Sequence, residues 1–180
     1  MGLPYVPIVG LVGSDLMHKR DDVKVVPDPF HPEVKTAVVR SLRPDVALLH
    51  GLRADRAGNV DMGCWTDDVL LAEASRRVIV TVEEVVDHID EDTAQGTFLP
   101  SILVNAVALA PFGAHPEHFP GRYPDDEAHL QRYVEHARDD AAFAVYLRET
   151  VYDVPDHDTY VQRHVPRSWQ EEGYRRAAGG

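Results

Sequence analysis

Residues 78–82 read VIVTV, five β-branched side chains in a row with a single hydroxyl among them. A strand with one wet face alternates apolar and polar residues, and this run does not. It suits a strand covered on both faces, as in a parallel sheet flanked by helices. Two more apolar runs bracket it: DVALLH at 45–50, opened by Arg43 and Pro44, and ILVNAVALA at 102–110, stopped by Pro111 and Pro116. Both are read as strands. Between the first two lies GLRADRAGNVDMG, whose glycines and Asn59 predict a sharp turn around AGN. Thr66 and Asp67 then open a helix over about 67–77, with Leu70, Leu71 and Ala74 on one face and Arg76 and Arg77 at the end where positive charge suits the dipole. Strand, helix and strand in that order form a right-handed crossover unit. The class is α/β, an open and mostly parallel sheet with flanking helices.

The remainder is arranged around that unit. Residues 88–97 are polar and predict a surface loop. Leu130, Tyr133, Val134 and Ala137 are spaced as one face of an amphipathic helix with acidic residues in its first turn, and a second helix starts at Asp140 and buries Phe143, Tyr146, Leu147 and Val151. These are the C-terminal helices of one domain over 1–165, followed by a polar tail over 166–180 that orders only against a partner.

The chain has 180 residues and a formal net charge of −12. That balance excludes general affinity for nucleic acid or an anionic membrane, both of which need a basic footprint. Arginines at 40, 43, 53, 56, 76 and 77 leave room for a local basic patch and a phosphate-bearing small ligand. Cys64 is the single cysteine, so neither an internal disulfide nor a cysteine-rich zinc site can form. A reducing, cytoplasmic setting is expected, since no basic leader and no membrane-length apolar run is present.

Several residues invite a chemical reading. Gly10, Gly13 and Ser14 in GLVGSDL follow an apolar stretch, where backbone N–H groups can approach an anion or a carbonyl oxygen, although a plain turn explains them as well. Glu83 and Glu84 sit at the end of VIVTV, where active sites of parallel sheets gather. Capping a helix or pairing an arginine is the favoured reading for them. His115 and His118 in a proline-rich loop, and His157 between two aspartates, fall short of the three or four ligands a zinc site needs, so no metal is expected. Cys64 reads as a packed thiol.

Taken in order, GLPYVP, GSDL, DPF, RPDVALLHGLRADRAGNV, AEASRRVIVTVEE, LPSILVNAVALAPFGAHP and GRYPDD resemble the alpha (A) subunit of family I coenzyme A transferases, most of all the glutaconate CoA-transferase type. The resemblance runs from Gly2 to about Tyr160. It implies an open α/β fold of the NagB/RpiA/CoA transferase-like kind and partnership with a beta subunit in a hetero-oligomer. It further implies transfer of coenzyme A between carboxylic acids with no resident cofactor, the CoA thioester being substrate. In that chemistry a glutamate attacks the thioester, and it usually belongs to the beta subunit, so no catalytic residue is assigned in this chain. Gly13 and Ser14 are expected to line the acyl pocket. Gly113 is expected to allow a close backbone approach, and His115 to orient a loop or touch the partner. An acyl-CoA hydrolase component of the same fold and a noncatalytic scaffold remain alternatives. The chain starts where a usual alpha subunit is about a third complete, so apolar faces normally covered by that portion are expected to be exposed.

Overall fold

The computed structural model describes residues 3–63 and 68–171. Cys64, Thr66 and Asp67 lie outside the described residues, as do residues 172–180 of the expected tail. The chain divides into two compact units, residues 1–45 with 74–76, and residues 46–73 with 77–180.

The first unit is a three-stranded antiparallel sheet in the order β1-β3-β2, built from β1 (Tyr5–Ile8), β2 (Val23–Pro27) and β3 (Lys35–Arg40), with a short helix α1 (Leu16–Lys19) between the first two. Sequence reading assigned no strands here, and Pro4, Pro7, Pro27 and Pro32 punctuate the segment. Pro7 is accommodated because β1 is an edge strand.

The second unit holds a five-stranded mixed sheet in the order β7-β5-β4-β6-β8. Its strands are β4 (Ala47–Asp55), β5 (Val60–Asp61), β6 (Val78–Val86), β7 (Phe98–Leu99) and β8 (Ala106–Leu109). β4, β6 and β8 run parallel, while β5 is antiparallel to both β4 and β7. Helix α2 (Asp68–Ala74) makes the crossover between β4 and β6. The turn expected at AGN joins β4 to β5: the buried Asp55 carboxylate accepts from the N–H groups of Ala57, Asn59 and Ile89 and from the Asn59 amide, which satisfies the turn's donors.

One face of this sheet is packed. Ala47, Leu49, Val60, Met62, Ala72, Val78, Val80, Val82 and Leu99 form a continuous buried core. On the other face, register sets Leu48 beside Ile79 and Ile79 beside Ala106. All three are exposed, Leu48 at 74%.

The last expected strand is shorter than ILVNAVALA. Ser101–Leu103 form a single 3-10 turn, and the Asn105 side chain accepts the Val78 N–H at 2.8 Å, so parallel pairing starts only at Ala106. Helices α3 (Glu127–His136), α4 (Asp140–Leu147) and α5 (His157–His164) follow, with a π-turn over Arg148–Tyr152. Each of the three is capped by an aspartate, Asp126, Asp139 and Asp156, that accepts from the third N–H of its helix. Helical residues 167–171 extend past the expected domain end at 165, and Trp169 stacks on Tyr123 with ring centroids 6.0 Å apart. Among the described residues no helix is long and apolar enough to cross a membrane.

Candidate functional site

The C-terminal ends of parallel strands are where α/β sheets present their ligand sites, and here one buried carboxylate organises that end. Glu83 of β6 has a side chain only 5% exposed. Its Oε1 accepts from His50 Nε2 at 2.7 Å, from the Tyr123 hydroxyl at 2.6 Å and from the Gly113 N–H at 3.2 Å. Its Oε2 accepts from the Phe112 N–H at 2.9 Å. Burial by itself would push this carboxyl up, but the bonds from His50, Tyr123 and Phe112 outweigh it and hold the group below its ordinary value. Burial, and then the bond to Glu83, push the Tyr123 phenol well above the ordinary tyrosine range.

Glu83 therefore clamps. Four donors hold both of its oxygens, three on Oε1 and one on Oε2. An ionised carboxylate only accepts, so His50 carries a proton on Nε2, and its Nδ1 lies 2.8 Å from the Thr81 hydroxyl. The loop after β8 is pinned in the same way. Ala110 N–H bonds Val82 O, Phe112 and Gly113 bond Glu83, and Ala114 N–H bonds the Tyr123 oxygen at 3.1 Å. Phe112 has φ +61°, a costly conformation for a residue with a large side chain. The carboxylate bond to its N–H holds it there. His157 of α5 adds a bond to Pro111 O at 2.7 Å. A cavity of about 270 Å³ beside this clamp is lined by His50, Asp68, Ala114, Glu117, His118 and Phe119.

The expectation for Gly113 takes a specific form. A Cβ at this position would lie 2.6 Å from His50 Cε1 and 2.8 Å from Ala110 O, so the close approach it permits is that of the His50 ring. His115 follows a hydrogen-bonded turn to Phe112 O and precedes a cis peptide bond to Pro116. Its side chain is fully buried, with Nδ1 2.8 Å from the Tyr160 hydroxyl and Nε2 3.2 Å from Asp126 Oδ2. His118 turns away to the exposed Asp125 at 3.1 Å.

Gly13 and Ser14 belong to the first unit. Gly10, Leu11 and Gly13 all have positive φ, and at Gly13 (+83°) the lack of a side chain is what makes the turn cheap. The Ser14 hydroxyl oxygen is buried and has no hydrogen-bond partner among the described residues. Gly10 and Val12 of this loop border a cavity of about 390 Å³ with Lys35, Thr36 and Ala37 of β3. Of the four residues singled out in the sequence, the structure brings Gly113 and His115 together in one loop and sets Gly13 and Ser14 in another. Sequence reading passed over His50, Thr81, Tyr123, Asp126 and His129. The available signal was His50 itself, a polar residue closing an apolar strand in register with the run that ends at Glu83.

Known proteins share this fold. Residues 30–110 match the family model described as Coenzyme A transferase. The chain is 32% identical over 181 residues to the A-type subunit of glutaconate CoA-transferase from Acidaminococcus fermentans, covering 91% of this chain and 56% of that protein. It is 34% identical over 160 residues to the A-type subunit of 3-oxoadipate CoA-transferase from Pseudomonas knackmussii, covering 88% and 56%. The crystal structure of glutaconate coenzyme A-transferase from A. fermentans superposes with a TM-score of 0.81 at 30% identity, over 92% of this chain and 57% of that one. The chain thus spans little more than half the length of these relatives.

Proposed function

Because this chain belongs to the coenzyme A transferase family, we propose that it forms part of a CoA-transferase alpha subunit, moving coenzyme A between carboxylic acids together with a beta-type subunit. The observation that carries this reading is the superposition on glutaconate coenzyme A-transferase across 92% of the chain at a TM-score of 0.81.

In the chemistry this implies, a glutamate carboxylate of the partner attacks the acyl-CoA carbonyl and expels CoA thiolate, leaving a mixed anhydride. The thiolate then attacks the glutamyl carbonyl, releasing the first acid and forming an enzyme-CoA thioester. The acceptor carboxylate reverses these steps and leaves as the new acyl-CoA. No resident cofactor takes part, and the reaction is placed in the cytoplasm. The role of this chain's own residues is to shape and hold. Glu83 locks His50, Tyr123 and the loop at 112–114 at the strand ends, and Gly113 admits the His50 ring while His115 anchors the loop. Gly13 and Ser14 are assigned to the acyl pocket, for which the Ser14 hydroxyl, without a partner among the described residues, and the adjoining cavity are the support.

Native mass spectrometry of the complex captured through this chain from its source cells tests the assignment. A beta-type CoA-transferase subunit in stoichiometric amount is expected. A chain that emerges alone under conditions preserving weak complexes would leave the proposal without its second half.

A further inference from the structure

Away from the Glu83 clamp, the fold gathers three side chains that the sequence scatters. His115 comes from the loop after β8, Asp126 caps α3, and His129 lies in the first turn of that helix. One ring nitrogen from each histidine and one carboxylate oxygen all fall within 4.8 Å of one another. Both histidines are buried, at 7% exposure each. We propose that His115, Asp126 and His129 form a structural zinc site, completed by a water, that fastens the C-terminal helices to the loop after β8.

The spacing of the ligand atoms admits a cation between them. His115 Nε2 and Asp126 Oδ2 stand at 3.2 Å. An N–H···O hydrogen bond spans about 2.7–3.2 Å, and this pair lies at the long end of that range. Two ligands bonded to zinc at about 2.0–2.1 Å in a tetrahedron sit roughly 3.3 Å apart. The pair therefore needs little movement to flank a zinc ion.

The groups around the three ligands resemble the supports that orient metal ligands elsewhere. The Tyr160 hydroxyl is 2.8 Å from His115 Nδ1, and the Tyr146 hydroxyl is 2.9 Å from His129 Nε2, so each ring is held by a phenol. Asp126 Oδ1 accepts the His129 N–H at 3.0 Å, leaving Oδ2 toward His115. The proton balance closes as well. For Nε2 of a neutral His115 to bind a cation, its proton moves to Nδ1. The Tyr160 hydroxyl must then accept and send its own proton elsewhere, and the His115 carbonyl oxygen, 3.5 Å away, is in place to receive it.

The sequence offered His115 and His118 as the near pair, and the fold replaces His118 with Asp126 and His129. That exchange supplies the third ligand missing from the sequence.

The test is a zinc titration of the full chain, together with any partner it is isolated with, after chelator treatment. It is read by calorimetry, by the thermal midpoint and by zinc-edge X-ray absorption. One equivalent per chain, a raised midpoint and nitrogen or oxygen neighbours at about 2.0–2.1 Å are expected. His129→Asn should abolish that equivalent, Tyr160→Phe should weaken it roughly 10- to 100-fold through the lost support, and His118→Asn should leave it intact. Less than a tenth of an equivalent in the wild-type chain overturns the proposal, as does zinc uptake that His118→Asn removes and His129→Asn does not.

Discussion

Replacing Glu83 by glutamine keeps the shape of the strand-end clamp and removes its charge. The amide oxygen takes the place of Oε1, which accepts from His50, Tyr123 and Gly113, so the new NH₂ faces the Phe112 N–H across 2.9 Å. A buried donor left against a donor costs about 1–3 kcal/mol. The three remaining bonds lose their charge assistance, which roughly halves them. Together these give a loss of about 3–5 kcal/mol, the scale for removing one partner of a buried ionic network. A domain stable by about 5–15 kcal/mol does not absorb this easily. Denaturant unfolding of the full chain at neutral pH measures the loss. The pH dependence supplies a second reading. Glu83 sits below its ordinary value of 4.5 when folded, so its contribution is complete above that value and is lost as pH falls through the folded value. The variant should lack this acid limb. A loss below about 1 kcal/mol, the scale of an exposed pair, or an acid limb matching the wild type, would show that Glu83 clamps nothing.

Gly113→Ala sets a methyl 2.6 Å from His50 Cε1 and 2.8 Å from Ala110 O, and should cost about 1–3 kcal/mol as overpacking. NMR of the His50 ring should show its bond to Glu83 disturbed, and an unshifted His50 would refute the close approach. His115 and His129 are both held below the ordinary value of 6.5 by burial. The unfolded chain therefore binds protons that the folded one refuses, and stability present above about pH 6.5 declines as pH falls below it. Thermal midpoints in chelator between about pH 7.5 and 5.5 should fall for the wild type and flatten for His129→Gln. Ser14→Ala removes a buried hydroxyl that has no partner among the described residues, so stability should be unchanged or slightly raised, while transfer by the assembled complex should drop at least tenfold. A stable variant with full transfer would remove Ser14 from the acyl pocket.

What was legible in the sequence follows from what short-range patterns encode. VIVTV and DVALLH announced β6 and β4 because continuous β-branched or apolar runs have few other uses, and the Asp140 start of α4 was visible because caps act locally. ILVNAVALA misled by its hydropathy, since nothing local showed that Asn105 would take over a ladder bond from its side chain. The glutamate pair divided its roles in a way only tertiary contacts decide. Glu84 took the expected arginine, Arg122 at 2.5 Å. Glu83 took His50, Tyr123 and two amides that lie 29 or more residues away in sequence, or 33 for His50. His129 was hidden for the same reason: a histidine inside an amphipathic helix signals nothing until a distant loop delivers His115 and α4 delivers Tyr146 beside it.

That this chain serves a CoA-transferase is tested most directly by incubating the captured complex with an acyl-CoA and then with hydroxylamine, which traps a glutamyl thioester. CoA transfer to an added carboxylic acid, lost after hydroxylamine only when acyl-CoA came first, with the modified glutamate on the partner chain, is the predicted result. Release of free CoA and acid with no acceptor required, or no acyl-CoA turnover from a complete complex, would contradict it.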